Sequence, residues 1–221
     1  MQKFDSPAPV SAVLDISAGH VQFIASDRAD TTVEVRPVDA SRSRDVKAAE
    51  KVEVAYADGV LRIAAPEAGN QLFGPSGSVE VTVQLPAGSR VEARTGSAEP
   101  RGVGRLGDVA FDGAYRRIKL DEAASVRLTA VDGDVEIGRL GGSAEISTAR
   151  GDIRIAEAAR GTVVLSTRSG DISVAAARGV SASLDAGTSQ GRVSNALMND
   201  GTAGLDIRAT TANGDITARS L

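Results

Sequence analysis

The sequence of 221 residues has no cysteine and no tryptophan, and it has only one histidine and two tyrosines. Without cysteine there is no thiolate metal site, no disulfide scaffold and no cysteine nucleophile. The scarcity of aromatic residues also weakens a carbohydrate-processing interpretation, since sugar-binding subsites favour aromatic platforms. Hydrophobic residues still make up 42% of the chain. A core of Val, Ile, Leu and Ala with few rings suits a narrow interior built from thin, repeating layers.

An excess of charge of one sign is lacking as well. There are 25 Lys and Arg against 29 Asp and Glu, which gives a net charge of −4. Arginines alternate with acids and form no basic stripe, so we predict no nucleic-acid partner. No stretch approaches the about 18 consecutive apolar residues of a membrane helix, and residues 1–7 contain no apolar leader run. We therefore predict no membrane partner and a cytoplasmic location.

Glycine is abundant, with 24 residues, and it marks an internal repeat. Gly-Asp followed by Ile or Val recurs at intervals of 18 to 23 residues, with one degenerate copy at Gly191-Arg192-Val193. Aligned on the glycine, apolar residues recur two positions after it and five positions before it. The first column holds Val135, Ile153, Ile172, Val193 and Ile216, and the second holds Leu128, Ile146, Leu165, Ala186 and Ala209. Polar residues alternate with these columns, so each repeat predicts two half-buried strands around a glycine corner.

Upstream copies extend the alignment. Phe111 falls in the column of Leu128, and Gly107-Asp108-Val109 is not a repeat start, so Asp108 is not expected to stack on Asp134. A single pair of strands is marginal in water, whereas stacked coils bury the apolar columns against each other. The fold class we predict is all-β, a right-handed parallel β-helix (β-solenoid) with about seven coils in residues 91–221. An antiparallel meander uses the same alternation and remains the alternative.

Residues 1–90 are rich in predicted strands but do not repeat, and we predict that they cap the stack as part of the same domain. Asp58-Gly59 predicts a tight hairpin turn. Asp39–Lys51 predicts a loop or a short helix, and Glu67–Ser78 predicts a loop. The predicted strands are Val13–Ile16, His20–Ile24, Thr32–Arg36, Val52–Tyr56, Val60–Ile63 and Val79–Leu85.

Three sequence features together resemble a bacterial β-strand-repeat family. They are the Gly-Asp-Ile-x-Ile repeats, the lead segment Ile24–Val35, and the Val-x-Val-x-Leu-Pro-x-Gly pattern within Ser78–Gly88. Members of this family are known as adhesin-like domains of unknown function and are common in actinobacteria. The resemblance implies a β-helix or solenoid and implies no activity, cofactor or site residue. Arg192, in place of the repeat aspartate, departs from the pattern.

The aspartate column Asp134, Asp152 and Asp171 is the one candidate metal site. Stacked about 4.8 Å apart, these carboxylates would repel each other, and either turn N–H groups or a row of Ca²⁺ ions would have to offset the repulsion. We favour turn N–H groups, with each aspartate forming an Asx-turn and Arg150 and Arg168 nearby in sequence, because the second glycine pair of calcium-binding repeats is missing. We therefore predict no metal site, no cofactor and no catalytic residue. His20 is expected on a solvent-facing strand, and the threonine column (Thr148, Thr167, Thr188 and Thr211) is expected to bond backbone at inward corners.

The C-terminal repeat suggests a partner. If Gly214–Ala218 is the last layer, the side chains of Ile207, Ala209 and Ile216 would face water, and uncovered edges invite pairing with another chain. We predict an end-to-end homodimer, with a cap formed by the Ser194–Thr202 loop as the alternative. The predicted function is a non-catalytic protein-binding or scaffolding module whose protein partner is unknown. The alternative is a polysaccharide lyase or hydrolase on a β-helix.

Overall fold

Strands separated by glycine corners stack in parallel in the computed structural model, which describes residues 1–65, 77–114 and 116–221. The elements are β1 Gln2–Asp5, β2 Ser11–Ser26, β3 Asp30–Pro37, α1 Ser43–Glu50, β4 Glu53–Ala57, β5 Val60–Ala64, β6 Val79–Pro86, β7 Arg90–Ala114, β8 Ile118–Asp132, β9 Val135–Leu140, β10 Ala144–Arg150, β11 Ile153–Ala158, β12 Gly161–Ser169, β13 Ile172–Ala176, β14 Ala182–Gln190, β15 Val193–Ala196, β16 Leu205–Asn213 and β17 Ile216–Ser220. None of the helices in the described part of the chain is long and apolar enough to cross a membrane.

Each repeat layer contributes a strand to a front sheet, before the glycine corner, and a strand to a back sheet, after it. The long strand β8 takes part in both sheets, because residues 118–123 pair with β9 and residues 126–132 pair with β10. In the front sheet β8, β10, β12, β16 and β14 follow one another in parallel. In the back sheet the corresponding order is β8, β9, β11, β13, β17 and β15. The parallel arrangement predicted from the columns is therefore confirmed for the repeats, and the antiparallel meander is not adopted there.

The alignment of the columns is confirmed residue by residue. Ile153 pairs with Ile172, and Phe111 pairs with Leu128. Asp108 pairs with Ser125 and does not lie above Asp134. The column residues are buried between the two sheets, because the period-two alternation points every second side chain inward.

The last layers are not stacked in chain order, which corrects the prediction that Gly214–Ala218 ends the stack. β16 lies between β12 and β14, and β17 lies between β13 and β15. Residues 182–196, not 205–220, form the terminal layer. The residues expected to face water are therefore buried: Ile207 is 1% exposed, Ala209 0% and Ile216 1%.

The order of these two layers has a physical reason. The layer 205–220 supplies Leu205, Ile207 and Ile216 to the interior, and burying each such side chain is worth about 1.5–3 kcal/mol. The layer 182–196 has Asn195 in an inward column, where a second covering layer would bury an amide at a cost. The eight residues 197–204 let the chain step past the terminal layer and insert the stronger layer beneath it.

A similar interleaving occurs at the N-terminal end. β2 pairs in parallel with β5 and β6 on one side and with β7 on the other. Two predicted strands, Val13–Ile16 and His20–Ile24, are halves of this one strand, which turns a corner at Gly19 (φ 138°). The parallel stack thus extends into residues 1–90, and the proposed boundary at residue 90 stays a prediction.

The outermost strands at this end are antiparallel. β4 pairs with β5 through the predicted Asp58-Gly59 turn, whose φ values of 50° and 75° fit a two-residue hairpin. β1 pairs with β3, and the rings of Phe4 and Tyr56 stack across these edges with centroids 5.2 Å apart. α1 lies in the segment predicted as a loop or a short helix. The loop predicted at Glu67–Ser78 lies, up to residue 76, outside the described residues.

Candidate functional site

The aspartate column forms a ladder of hydrogen bonds between layers. The backbone N–H of Asp152 donates to Asp134 Oδ1 at 2.9 Å, and that of Asp171 donates to Asp152 Oδ1 at 2.7 Å. The ladder continues from Asp215 N to Asp171 Oδ1 (2.7 Å) and from Arg192 N to Asp215 Oδ1 (2.9 Å). Turn N–H groups therefore offset the repulsion between carboxylates, but each N–H belongs to the next layer. The predicted Asx-turn, in which an aspartate accepts from its own turn, is replaced by this bond between layers.

The degenerate repeat residue Arg192 caps this ladder. It lies in the terminal layer, where no further described layer offers an N–H for a carboxylate to accept. Its backbone N–H lowers the pKa of Asp215 below the ordinary value, and the positive charge of its side chain, 3.3 Å from Asp215 Oδ2, acts in the same direction. An arginine at this slot thus marks the end of the stack.

The calcium interpretation gains no geometric support. In residues 1–65, 77–114 and 116–221, no three His, Asp or Glu side chains are grouped so that they could hold a metal ion. Arg150, expected near the aspartate column, instead lies 3.0 Å from Asp132 Oδ2. One oxygen of each of Asp134, Asp152 and Asp171 is already occupied by a backbone donor.

Glycine is required at the ladder corners because the layers approach closely there. Gly151 has φ +124°, and a Cβ at this position would lie 2.3 Å from the carbonyl oxygen of Gly133. Gly170 has φ +153°, and its Cβ would lie 2.1 Å from the oxygen of Gly151. Only glycine adopts such a backbone without strain, which explains why Gly precedes Asp in the repeat.

The threonine column is structural, as predicted. The hydroxyl of Thr167 donates to the carbonyl of Gly151 at 3.1 Å, and that of Thr211 donates to Gly170 at 3.0 Å. Thr188 donates to Gly214 at 3.0 Å in the terminal layer, whereas Thr148 donates to Arg150. These hydroxyls satisfy corner carbonyls, although Thr148, Thr167 and Thr211 also line an open depression of about 500 Å³.

His20 is exposed on β2, as predicted, between Glu80 of β6 and Glu99 of β7. These neighbours in the strands lie in the same outward column. No described hydrogen bond or ion pair joins His20 to a carboxylate, and no described nucleophile lies in its column. The arrangement is that of a polar sheet surface.

A shallow depression of about 430 Å³ on the front sheet is a site that the sequence did not suggest. It is lined in part by Asp108, Ser125, Arg127 and Glu145. Ser125 Oγ donates to Asp108 Oδ1 at 2.6 Å, and Arg127 Nε lies 3.4 Å from Glu145 Oε2. These four polar side chains are therefore paired with one another. No aromatic residue is among its described lining residues, so it does not resemble a sugar-binding subsite.

The open edge, which we define as β14 and β15 on the side away from β16 and β17, is the feature best suited to binding. At the start of each back-sheet strand, the N–H of the first inward-facing residue donates to a backbone carbonyl oxygen of the next layer. Ile153 donates to Asp171 O, Ile172 to Asp215 O and Ile216 to Arg192 O, each at 2.9 Å. Val193 is the next member of this series, and no described layer follows it.

The front-sheet half of the open edge is also unpaired over most of its length. Ala182 N donates to Met198 O at 2.9 Å, so the loop after β15 covers the start of β14. Because backbone direction alternates along a strand, the N–H groups of Leu184, Ala186 and Thr188 point to the same outer side. Among the described residues, β14 pairs only with β16. The polar residue Asn195, which stands in an inward column, was the sequence signal for a terminal layer.

Comparison with known proteins places the chain in a family. The family described as Toastrack DUF4097 matches residues 12–219. A solved structure described as a putative adhesin, from Bacteroides fragilis, is 13% identical with a TM-score of 0.57, over 98% of this chain and 95% of that one. A putative cell adhesion protein from Clostridium sporogenes is 11% identical with a TM-score of 0.42, over 100% and 98%. No curated protein matches the sequence. The Bacteroides structure supports the fold alone.

Proposed function

Because this chain belongs to the Toastrack DUF4097 family, a family of unknown function, we propose that it is a non-catalytic protein-binding module whose binding surface is the open edge. The single observation that carries the proposal is the interlayer hydrogen-bond series that ends at Val193, beyond which the described part of the chain holds no further layer. The description of solved relatives as putative adhesins fits a binding role, and for this chain that role remains part of the proposal.

The open edge fits a protein partner through backbone pairing. A strand that docks on β14 receives N–H and C=O groups in the spacing of an ordinary sheet, which is how β-strand addition provides affinity. Half-buried Leu184 and Ala186 lie under such a strand and offer apolar contact. Natural sheets protect edges with proline, lysine or a bulge, and neither β14 nor β15 contains proline or lysine.

The finer features of the expected protein are also part of this proposal. We propose right-handed coils, about seven in number in residues 91–221, because parallel strand connections are almost always right-handed. We propose a cytoplasmic location, for which the cysteine-free composition is the support. We propose no nucleic-acid and no membrane partner, on the balanced charge.

The proposal is tested by using this protein as bait to capture proteins from a lysate of its source cell. The wild-type bait is compared with baits that carry a substitution at the open edge or at a control position. Gly187 of β14 is exposed, and a Cβ there would meet nothing within 4 Å, so Gly187→Lys adds a charge at the edge without a clash. Ser166→Lys is the matched control, because Ser166 and Gly187 lie in one outward column with Thr210 between them. We expect proteins that bind the wild type and the control to be lost with Gly187→Lys. Equal capture by all three baits would contradict the proposal.

A further inference from the structure

We infer that the open edge accepts a second copy of this chain, with β14 of one copy antiparallel to β14 of the other about a twofold axis near Gly187. The inference rests on the proposed function, since it names the partner of the same edge. No charged or large side chain lies at the centre of this contact. The segment Ala186–Thr188 carries no charge, and Asp185 is the only ionisable residue in β14.

The two ends of the stack differ in structure, and this favours a twofold contact between two open edges over a head-to-tail contact. The N-terminal end finishes in antiparallel strands β1 and β4, with α1 against β3 and β6. It therefore does not present the parallel ladder that a head-to-tail stack would continue. Two open edges, in contrast, present identical backbone spacing to each other, and a twofold axis reverses one strand so that they pair as in an antiparallel sheet.

The contact is also self-complementary in its side chains. Leu184, Ala186 and Thr188 are half-buried and point into the interior of their own coil. A second layer above them would complete their burial, as β12 does for the buried column of β16. Arg192, whose side chain is 89% exposed, lies beyond the end of β14. Because the two β14 strands run in opposite directions, Arg192 of one copy lies toward the end of β14 that carries Asp185 in the other copy.

The test is the mass of the purified 221-residue chain, measured by light scattering over a concentration series. We expect the wild type to rise from 22.6 kDa toward twice that mass. Near the twofold axis, residue 187 of one copy lies opposite residue 187 of the other. Gly187→Lys and Gly187→Glu therefore each place like charges opposite one another and should weaken the affinity of the dimer about fivefold or more. An equimolar mixture of the two variants should restore the dimer, because the charges are then opposite. Ser166→Lys should behave as the wild type, and circular dichroism checks that all variants are folded.

Two results would overturn the inference. One is a wild-type chain that stays at 22.6 kDa at every concentration, and the other is a dimer that Gly187→Lys leaves unchanged. The lysate experiment separates this failure from that of the proposed function. A monomer whose captured proteins still depend on residue 187 binds another partner at the open edge, whereas a monomer with no such dependence refutes both.

Discussion

Replacing Gly151 with alanine should destabilise the protein strongly, because the new Cβ would lie 2.3 Å from Gly133 O and φ is +124°. A non-glycine residue in such a backbone region costs about 1–3 kcal/mol. Relief of the contact requires the two corners to separate, which weakens the bonds from Asp152 N to Asp134 Oδ1 and from Gly133 N to Arg150 O. At about 1 kcal/mol for each bond, the total loss is about 3–5 kcal/mol.

Thermal and urea unfolding followed by circular dichroism measure this loss. For a chain of this length, each kcal/mol lowers the melting temperature by about 2–4 °C, so Gly151→Ala should melt about 6–20 °C below the wild type. Gly187→Ala is the control, since its Cβ meets nothing and its φ is not in the left-handed region. The control should stay within about 0.5 kcal/mol of the wild type. A Gly151→Ala variant as stable as the control would refute the close approach of the corners.

Two further predictions concern the aspartate ladder. Titration with Ca²⁺ should detect no binding tighter than about millimolar, and a chelator should leave the melting temperature unchanged, since a cation bound to the native state would raise it. The pKa of Asp215 is lowered in the folded state, chiefly by the Arg192 N–H. The stability advantage of the wild type over Asp215→Asn should therefore be full well above pH 3.8 and should be lost as the pH falls through the lowered pKa. An advantage that stays constant as the pH falls from about 5 to about 2, the range in which an ordinary and a lowered aspartate titrate, would contradict this.

The columns of the repeat could be predicted from the sequence because the side-chain period of a strand is two. One alignment on glycine placed Ile153 opposite Ile172 and Phe111 opposite Leu128, and both pairings are present. It also brought the three aspartates into one column. The donor to each carboxylate could not be predicted, because it lies in the next layer, 18 or more residues away in the chain.

The order of the last layers could not be read from the columns, because Thr188 fits above Thr167 as well as it fits above Thr211. Sequence proximity favoured the chain order, and the burial of Leu205, Ile207 and Ile216 outweighed it. The signals for the terminal layer were present in Arg192 and Asn195, which depart from the repeat at positions where an inner layer needs an acceptor and an apolar side chain. The open edge itself follows from this order of the layers.

Amide hydrogen exchange at Val193 and Ile216 tests the open edge most directly, and it is best measured on Gly187→Lys, so that no second copy covers the edge. Ile216 N donates to Arg192 O at 2.9 Å beneath the terminal layer, whereas Val193 N faces outward from that layer. We predict that the Ile216 amide exchanges only on global unfolding and that the Val193 amide exchanges by local fluctuation, orders of magnitude faster. A protected Val193 amide together with a rapidly exchanging Ile216 amide would show that the layers stack in chain order and that β14 and β15 are not the edge.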